Sequence, residues 1–415
     1  MSGLVRPKDA ASNRIRDCKH VRSDYRGGMT NQPLSGYRVA DLSRVLSGPF
    51  LTQILGDLGA DIIKVEAPSG DTVRNQGDGR DGFSWYFAGF NRNKRSIVLD
   101  LKTDDGKAAL EALIKTSDVL VENFRPGVLS RLGFPPERLQ ELRPGLITSS
   151  VTGFGADGPY RDRPAFDFIA QAMSGFMSSN GRPDDPPLRS GLPISDLVCG
   201  IYGALGVTAA LLGRERSDQP DKGEHIDVSL TNSMISPLAY LASNYFATDR
   251  VTPRSGNDHP IAAPYGLFQT ADDPIAVAPN DDIFFGRLMD ALDLSPLKDD
   301  PDYQNNHLRV ANRDKLNALV TDRLAAAGAK HWIDTLNAAG IPCSPVNDVA
   351  GVFSDPQVQS QEMAIEIEHP ARGPMTVLGY PMKFRDTPCQ VRHHPPDLGE
   401  HTDEILAELG LKPAT

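Results

Sequence analysis

Short apolar runs alternate with longer amphipathic stretches between residues 37 and 229. The runs predict strands and the stretches predict helices, because their apolar residues recur at strand or helix spacing. The predicted strands are YRVADLS, ADIIKVE, SIVLDL, VLVENF, LITSSVTGF and HIDVSL, and the helices include GPFLTQILGDLG, DDGKAALEALIKTSD, FDFIAQAMSGFMSS and the segment that follows Asp196. Such a series predicts an α/β fold with a mostly parallel, doubly wound sheet.

The composition changes at residues 251–266, VTPRSGNDHPIAAPYG, which are rich in proline, glycine and asparagine and mark a domain boundary. Before them, Met234 to Thr248 predicts one long helix. After them, the pattern predicts a smaller α+β unit, then a hairpin and a C-terminal helix. The predicted parts are the hairpin YGLFQT–PIAVAP, helices near Phe285, Leu316 and Trp332, the turn GIPCSPV, the hairpin MAIEIEHP–GPMTVLGYPMKF and the helix GEHTDEILAELG.

Charge and hydropathy restrict the classes of partner. The chain has 415 residues, 40% hydrophobic, and a formal net charge of −11, so its average surface repels nucleic acid and anionic lipid. The apolar, uncharged run 197–213 is interrupted by glycines and is shorter than the roughly 20 residues that a membrane span needs. We therefore expect neither a nucleic-acid nor a membrane partner, and any anionic ligand must be held by a local basic pocket.

Cysteine usage and the N-terminal segment bear on location. The four cysteines lie far apart without a CxxC pair, which predicts a reducing, cytoplasmic compartment and no metal cage. Residues 1–28 are basic and polar and show no hydrophobic periodicity, which predicts a flexible tail. An alternative start at Met29 and an organelle transit peptide are the other interpretations, and three aspartates in the segment disfavour the second.

Two common cofactor patterns are present only in part. GDGRDG (77–82) and GFGADG (153–158) match the glycine spacing of dinucleotide folds, but neither follows a strand and opens a helix. His393 and His394 stand near Glu400 and His401, yet a solvated loop is favoured over a metal site because no regular element presents these side chains together. We therefore expect neither a nicotinamide cofactor nor a metal.

Basic side chains recur near the ends of predicted strands. NRNKRS (91–96) precedes a strand, ENFRPG (122–127) and YRDRP (160–164) follow strands, and Arg131 lies one helical turn further on. Ligands of open α/β sheets bind outside the carboxyl ends of the strands, so these groups could converge on one polyanion. Taken singly, each is also typical of a solvated surface patch.

A lone carboxylate, Asp196, stands in GLPISDLVCGIYGALG at the start of an apolar run. One interpretation makes Ser195 or Asp196 the N-cap of a helix that begins there. The other is chemical, because the positive end of a helix dipole would keep a carboxylate ionised where water is scarce, and such a carboxylate can attack an acyl carbon. Gly200, Gly203 and Gly206 would let a neighbouring backbone or ligand approach this helix, or would simply serve helix packing.

Seven segments together resemble one family, the family III CoA-transferases, which include formyl-CoA, carnitine and succinate/glutarate CoA-transferases, with α-methylacyl-CoA racemases as fold relatives. The similarity runs from about Leu34 to GEHTDEIL. The segments are VADLSRVLSGPFLTQILGDLGADIIKVEAPSGD, NRNKRSIVLDLKTDDGK, DVLVENFRPGVLSRLG, SVTGFGADGPY, FDFIAQAMSGFM, GLPISDLVCGIYGALG and KGEHIDVSL.

The resemblance implies a Rossmann-like large domain built from both chain ends, a smaller α+β domain and an interlocked homodimer. The boundaries that we expect are a flexible tail at 1–33, the CoA-binding and catalytic domain at 34–228, a linker helix with the small domain at 229–345 and the return to the large domain at 346–415.

The resemblance also implies that Asp196 is the catalytic nucleophile, and that Asp167 supports it or CoA. No cofactor is bound permanently, because acyl-CoA is a substrate. The implied CoA contacts are Leu46, Ser47, Leu99, Asp100, Leu101, Lys102, Asn123, Phe124, Arg125 and Arg131. One departure is Ala67, where some relatives carry an arginine that contacts the adenosine end of CoA.

Other residues bear on the reaction and its substrate. Racemase relatives have a histidine before the equivalent of Asp167, and Phe166 stands there, which favours transfer over racemisation. Loop similarity predicts a C4–C5 dicarboxylate acceptor, with succinyl-CoA as donor, and His259 and Tyr265 as pocket-lining or packing residues. The alternatives are an oxalate-type or carnitine-type transferase, a 2-methylacyl-CoA epimerase and a catalytically silent CoA-binding protein.

Overall fold

The computed structural model describes residues 32–77, 79–80 and 82–412. Most of the predicted tail, residues 1–31, lies outside the described residues. The strands are β1 Arg38–Asp41, β2 Asp61–Glu66, β3 Gly79–Arg80, β4 Phe83–Ser84, β5 Lys94–Val98, β6 Val119–Glu122, β7 Ile147–Thr152, β8 His225–Ser229, β9 Gly266–Gln269, β10 Pro274–Val277, β11 Cys343–Pro345, β12 Ala364–His369 and β13 Gly373–Leu378.

The α-helices alternate with these strands in the first half of the chain and dominate the middle. They are α1 Ser47–Asp57, α2 Trp85–Gly89, α3 Asp104–Thr116, α4 Val128–Arg131, α5 Pro136–Leu142, α6 Asp167–Met173, α7 Phe176–Ser179, α8 Ile194–Arg216, α9 Leu230–Ile235, α10 Ala239–Thr248, α11 Asp282–Ala291, α12 Asn306–Ala311, α13 Arg313–Leu324, α14 Ala329–Ala338, α15 Val349–Ser354, α16 Pro356–Ser360 and α17 Thr402–Glu408. Short 3₁₀ helices cover Thr72–Asn75, Ser236–Leu238 and Ser295–Lys298.

Six strands form one parallel sheet in the order β5-β2-β1-β6-β7-β8. The order reverses at β1, so the loops after β1 and β6 leave the sheet side by side at its carboxyl edge. In an open α/β sheet such a reversal point opens a ligand crevice. The predicted α/β fold with a parallel sheet is confirmed.

Each face of this sheet carries its own apolar core. On one face, Val39, Ile62 and Val119 pack with α1 and α8. On the other face, Ala40 and Ile63 pack with residues of α3, α5 and α17. The alternation follows from the strand period of two, which sends neighbouring side chains to opposite faces.

Helix α8 lies against α1 through its glycines. A Cβ at Gly203 would stand 2.3 Å from Leu51 Cδ1, and a Cβ at Gly206 would stand 3.0 Å from Ile226 Cγ2. By length and composition alone α8 could span a membrane, and the core helix of a soluble protein passes the same test. Its opposite face leaves Leu205, at 62% of its area, exposed.

Residues 266–345 have a separate core. The antiparallel sheet β11-β10-β9 packs with α11, α13 and α14 around buried side chains that include Phe285, Leu316 and Trp332. β12 and β13 form the second predicted hairpin. The C-terminal helix α17 returns to the large sheet, where Arg95 Nη1 donates to Glu408 Oε1 over 2.7 Å.

Three local predictions are wrong. The single helix expected over FDFIAQAMSGFMSS is divided into α6 and α7, because Gly175 between them is in the left-handed region with a φ of 87°. The long helix expected from Met234 to Thr248 is interrupted by the 3₁₀ turn Ser236–Leu238, because Pro237 has no N–H and cannot continue an α-helix. The turn expected in GIPCSPV contains strand β11, in which Cys343 pairs with Val277. The prolines of this segment made the pattern typical of a turn. They are tolerated in a strand here because β11 is at the edge of the sheet.

Candidate active site

Asp196 lies in the first turn of α8. The helix begins at Ile194, its N-cap residue is Pro193, and no side chain of that residue caps it. The expectation that Ser195 or Asp196 is the N-cap is therefore wrong. Asp196 is the third helical residue and is half-buried, so its carboxyl group is free of the capping role that would otherwise explain it.

Asp167 takes over the capping of α8 from a distance. The Ser195 N–H donates to Asp167 Oδ1 over 2.9 Å, and the Ser195 hydroxyl donates to the same oxygen over 2.8 Å. Gln171 Nε2 donates to Asp167 Oδ2 over 2.7 Å. Asp167 does not cap its own helix, because it is the first residue of α6 and Phe166 occupies the N-cap position without a capping side chain. Asp167 therefore fixes the turn that carries Asp196.

The carboxyl group of Asp196 is held in a strongly perturbed state. Burial, reinforced by the charge of Asp167, raises its pKa to about 7, although a hydrogen bond from Ser47 acts in the opposite direction. The positive end of the α8 dipole favours the ionised form, whereas burial and the like charge of Asp167 favour the acid. Near neutral pH, both the acid and the carboxylate form of Asp196 are therefore populated.

Ser47, the first residue of α1, reaches Asp196 because α1 and α8 pack very closely at this end. A Cβ at Gly200, one turn after Asp196, would stand 2.9 Å from the Ser47 carbonyl oxygen and 2.9 Å from Phe50 Cδ1. Of the two interpretations of this glycine, close helix packing is confirmed. The packing brings the loop after β1 to the carboxylate.

Tyr86 in α2 is a candidate that the sequence did not reveal. Burial raises the pKa of its phenol, and the charges of Asp196, Asp71 and Asp167 raise it further. The half-buried phenol therefore lies within electrostatic reach of all three carboxylates. Only the aromatic run WYF marked the position, and such a run is equally typical of core packing.

The predicted CoA contacts lie after three strands of the sheet, at its carboxyl edge. Leu46 and Ser47 follow β1, residues 99–102 follow β5, and residues 123–125 follow β6, with Arg131 at the end of α4. Leu46 and Leu99 are buried. Lys102, Arg125 and Arg131 are exposed and form no ion pair within the described ranges of the chain. These three cations are available to an anionic ligand.

Two of the basic clusters meet at one cleft. Arg125 and Arg161 both line a cavity of about 500 Å³ between α4, α5 and the strands β7 and β8. The buried carboxyl group of Glu122 also lines it, and burial raises the pKa of that group. Arg163 in the same loop lies over the ring of Tyr160, 3.6 Å from its centroid.

The cluster NRNKRS has a different role from the one expected. Arg92 pairs with Asp57, with Nη2 2.6 Å from Oδ2, and the buried Lys94 ammonium lies 3.1 Å from Asp41 Oδ2. Arg95 pairs with Asp61 over 2.8 Å. The expectation that this cluster could converge on a polyanion is therefore wrong, because its charges are neutralised inside the protein.

The remaining predicted residues are placed as follows. Asn123 uses its side chain to join two loops, accepting from the Arg44 N–H over 2.9 Å and donating to the Arg44 carbonyl over 2.7 Å. Its amide is thus occupied by the protein itself. His259 packs against Tyr265 with ring centroids 4.8 Å apart and stacks on Tyr240 at 6.3 Å, contacts that fit the packing alternative.

Comparison with known proteins gives a consistent family. A family model described as CoA-transferase family III matches residues 34–402. The succinate–glutarate CoA-transferase of Agrobacterium fabrum is 38% identical over 91% of this chain and 96% of its own length. The acetyl-CoA:oxalate CoA-transferase of Acetobacter aceti is 41% identical over 85% of this chain and 89% of its own, and the human succinyl-CoA:glutarate CoA-transferase is 36% identical over 91% and 86%.

A solved structure agrees with these relatives. The crystal structure of a CaiB/BaiF family protein from Brucella suis superimposes with a TM-score of 0.82 at 38% sequence identity, covering 91% of this chain and 100% of that one. Family match, relatives and fold coincide over the same residues. The chain belongs to CoA-transferase family III.

Proposed function

We propose that this CoA-transferase moves CoA from succinyl-CoA to a C4–C5 dicarboxylate through covalent intermediates on Asp196. The observation that carries the proposal is the position of that carboxyl group. It is free of any capping role, lies in the first turn of α8 and has its pKa raised to about 7. A carboxylate of high pKa is a better nucleophile than an ordinary one, and it is substantially ionised at neutral pH.

The proposed reaction consists of two exchanges, in which CoA passes from the donor to Asp196 and then from Asp196 to the acceptor. The Asp196 carboxylate attacks the thioester carbonyl, and the C–S bond breaks. CoA leaves as a thiolate, and Asp196 then carries the acyl group of the donor as a mixed anhydride. The thiolate attacks the aspartyl carbonyl, the donor acid leaves as a carboxylate, and Asp196 carries CoA as a thioester. The acceptor carboxylate then attacks this thioester, which releases CoA as a thiolate and leaves a mixed anhydride between Asp196 and the acceptor. The thiolate attacks the acceptor carbonyl of that anhydride, which gives the new acyl-CoA and regenerates the Asp196 carboxylate.

Residues of this chain would divide the remaining work. Lys102, Arg125 and Arg131 supply exposed positive charge for the phosphates of CoA, and Asp167 holds the turn that carries Asp196. The phenol of Tyr86 lies among the carboxylates of the site, where it could donate a hydrogen bond to the thioester oxygen as negative charge develops there.

The substrate class rests on the relatives and on loop similarity. Two of the relatives described above are named for succinate or succinyl-CoA with glutarate. The name of the Acetobacter relative favours oxalate as a second candidate acceptor, since that protein is 41% identical to this chain. A C4–C5 diacid and oxalate both present two carboxylates, so the length of the pocket would separate them.

We further infer a Rossmann-like large domain, the domain boundaries given above, a cytoplasmic location and an interlocked homodimer. The large apolar area left open on the isolated chain supports the dimer. Ile201, Leu205 and Leu212 on one face of α8 are more than half exposed, α10 buries no residue, and Phe246 in it is 81% exposed. Single chains rarely leave so much contiguous apolar surface in water. Light scattering should give the mass of two chains.

The function is tested by steady-state transfer from succinyl-CoA to a panel of acids, namely glutarate, mesaconate, oxalate and carnitine, with Asp196→Ala as control. We expect the highest kcat/KM with a C4–C5 diacid and none with the variant. Preference for oxalate or carnitine would overturn the acceptor assignment. Exchange of the α-proton of a 2-methylacyl-CoA with deuterated water, without transfer, would overturn the reaction class.

A further inference from the structure

The loop between β1 and α1, residues 42–46, contains a strained residue next to the site. Val45 has a φ of 69°, in the left-handed region. A β-branched residue is a genuine outlier there, and it persists only when the surrounding structure enforces it. The two residues after it are Leu46 and Ser47, and Ser47 packs against the beginning of α8 and lowers the pKa of Asp196. Whatever enforces Val45 therefore also sets the position of Ser47.

The enforcing group is a carboxylate from the neighbouring loop. The Val45 N–H donates to both carboxylate oxygens of Asp71, over 3.1 Å each. The Lys64 ammonium lies 3.1 Å from Asp71 Oδ2 and also donates to the Ser43 carbonyl over 3.0 Å. The side chains of Lys64 and Asp71 are at most 1% exposed. The strained turn is thus bound on both sides by one buried ion pair.

This arrangement exceeds what the fold needs. A loop that only connects β1 to α1 could avoid the strain with a glycine at position 45, because glycine adopts positive φ without penalty. The charge of Asp71 also reaches Tyr86, as do the charges of Asp196 and Asp167. Asp71 and Asp196 therefore act on the same phenol, which connects the ion pair to the candidate site.

We propose that Asp71, held by Lys64, is a positioning residue that fixes the left-handed turn at Val45 and so sets the Ser47 hydroxyl against Asp196. The inference rests on the proposed covalent role of Asp196. Its effect is to favour the nucleophilic carboxylate, because the Ser47 hydrogen bond acts against the burial that raises the pKa of Asp196.

The expected signature is a shift in pH dependence. Loss of one hydrogen bond to a charged group moves a pKa by about one unit. With the pKa of Asp196 starting at about 7, such a shift would lower the ionised fraction at pH 7 from about one half to about one tenth. Release of the loop is therefore expected to slow acylation of Asp196 about fivefold at pH 7 and hardly at all at pH 9.

The variant to make is Asp71→Asn. An amide has one acceptor oxygen for three donors, the Lys64 ammonium and the N–H groups of Val45 and Val73, so at least one of them must face the NH₂ group. The matched rescue is Val45→Gly in the same background, because glycine holds the turn without the carboxylate. If Asp71→Asn does not fold, Lys64→Met/Asp71→Ala removes the buried charge together with the acceptor, and the same pH shift is expected.

The experiment follows the first turnover with succinyl-CoA by rapid quench and mass spectrometry of the Asp196 peptide from pH 5.5 to 9. We expect a midpoint about one unit higher in Asp71→Asn and a return toward wild type in Val45→Gly/Asp71→Asn. If Asp71 only stabilised the fold, Val45→Gly would not restore the pH midpoint, because the added glycine gives the unfolded chain more conformational freedom. An unchanged midpoint in a folded variant overturns the inference, whereas a wild type without any adduct overturns the proposed function instead.

Discussion

Replacing the Asp196 carboxyl group should make the protein more stable and, if the proposed mechanism holds, abolish transfer. In Asp196→Asn the side chain keeps its size and loses its charge. Burial and Asp167 raise the pKa of Asp196 from 3.8 to about 7. Because the charged form is disfavoured in the folded state, ionisation of Asp196 costs folding free energy at every pH well above the unfolded pKa.

The size and sign of the effect follow from the two pKa values. Each unit is worth about 1.36 kcal/mol, so the cost is at most about 4 kcal/mol at pH 8, where Asp196 is ionised in both states. At pH 5 the unfolded carboxyl group is ionised and the folded one is protonated, and the cost is about 2 kcal/mol. These are upper limits, since a half-buried group keeps part of its hydration.

The assay is urea unfolding of wild type and Asp196→Asn at pH 5 and pH 8, with Asp218→Asn as the matched control. Asp218 is exposed in the loop after α8, so its loss should give the same small effect at both pH values. We expect the free energy of unfolding of Asp196→Asn to exceed that of wild type, by more at pH 8. A gain that is equal at the two pH values, or a loss at pH 8, would refute the reasoning.

Three further changes separate the parts of the site. Asp167→Asn keeps an acceptor for Ser195 but removes the like charge, so the pH midpoint of Asp196 acylation should fall below that of wild type; a higher midpoint would count against it. Gly200→Ala places a Cβ 2.9 Å from the Ser47 carbonyl and should cost about 1–3 kcal/mol in unfolding free energy. Gly213→Ala, with nothing within 4 Å, should gain up to about 1 kcal/mol, and equal effects would be inconsistent with the packing described. Arg131→Met should raise the KM for acyl-CoA without moving the pH midpoint, whereas a change in kcat alone would speak against a CoA contact.

Local patterns were enough for the elements that carry the site. The strands before Leu42 and Asn123 and the helix after Pro193 follow from runs of apolar residues, and a parallel sheet places the ends of its strands together. For that reason the exposed Arg125 and Arg131 could be placed at the carboxyl edge from the pattern alone, whereas Lys102 was indicated only by the family resemblance.

Contacts between distant residues were not accessible in the same way. Arg92 meets Asp57 from 35 positions away, and Asp167 caps the turn of Ser195 from 28 positions away. Sequence spacing carries no information on such pairs, so a buried ion pair looked like a binding cluster. Likewise the helix dipole at Asp196 could be anticipated, but the burial that raises the pKa of Asp196 depends on how α1 and α6 pack against α8.

The most direct test of the account is mass spectrometry of the protein quenched after incubation with succinyl-CoA, with Asp196→Ala in parallel. The account predicts a hydroxylamine-sensitive adduct on the wild-type peptide that contains Asp196, with the mass of a succinyl group or of CoA, and none on the variant. Acyl transfer by a wild type that never carries such an adduct, or an adduct that persists in Asp196→Ala, would contradict it.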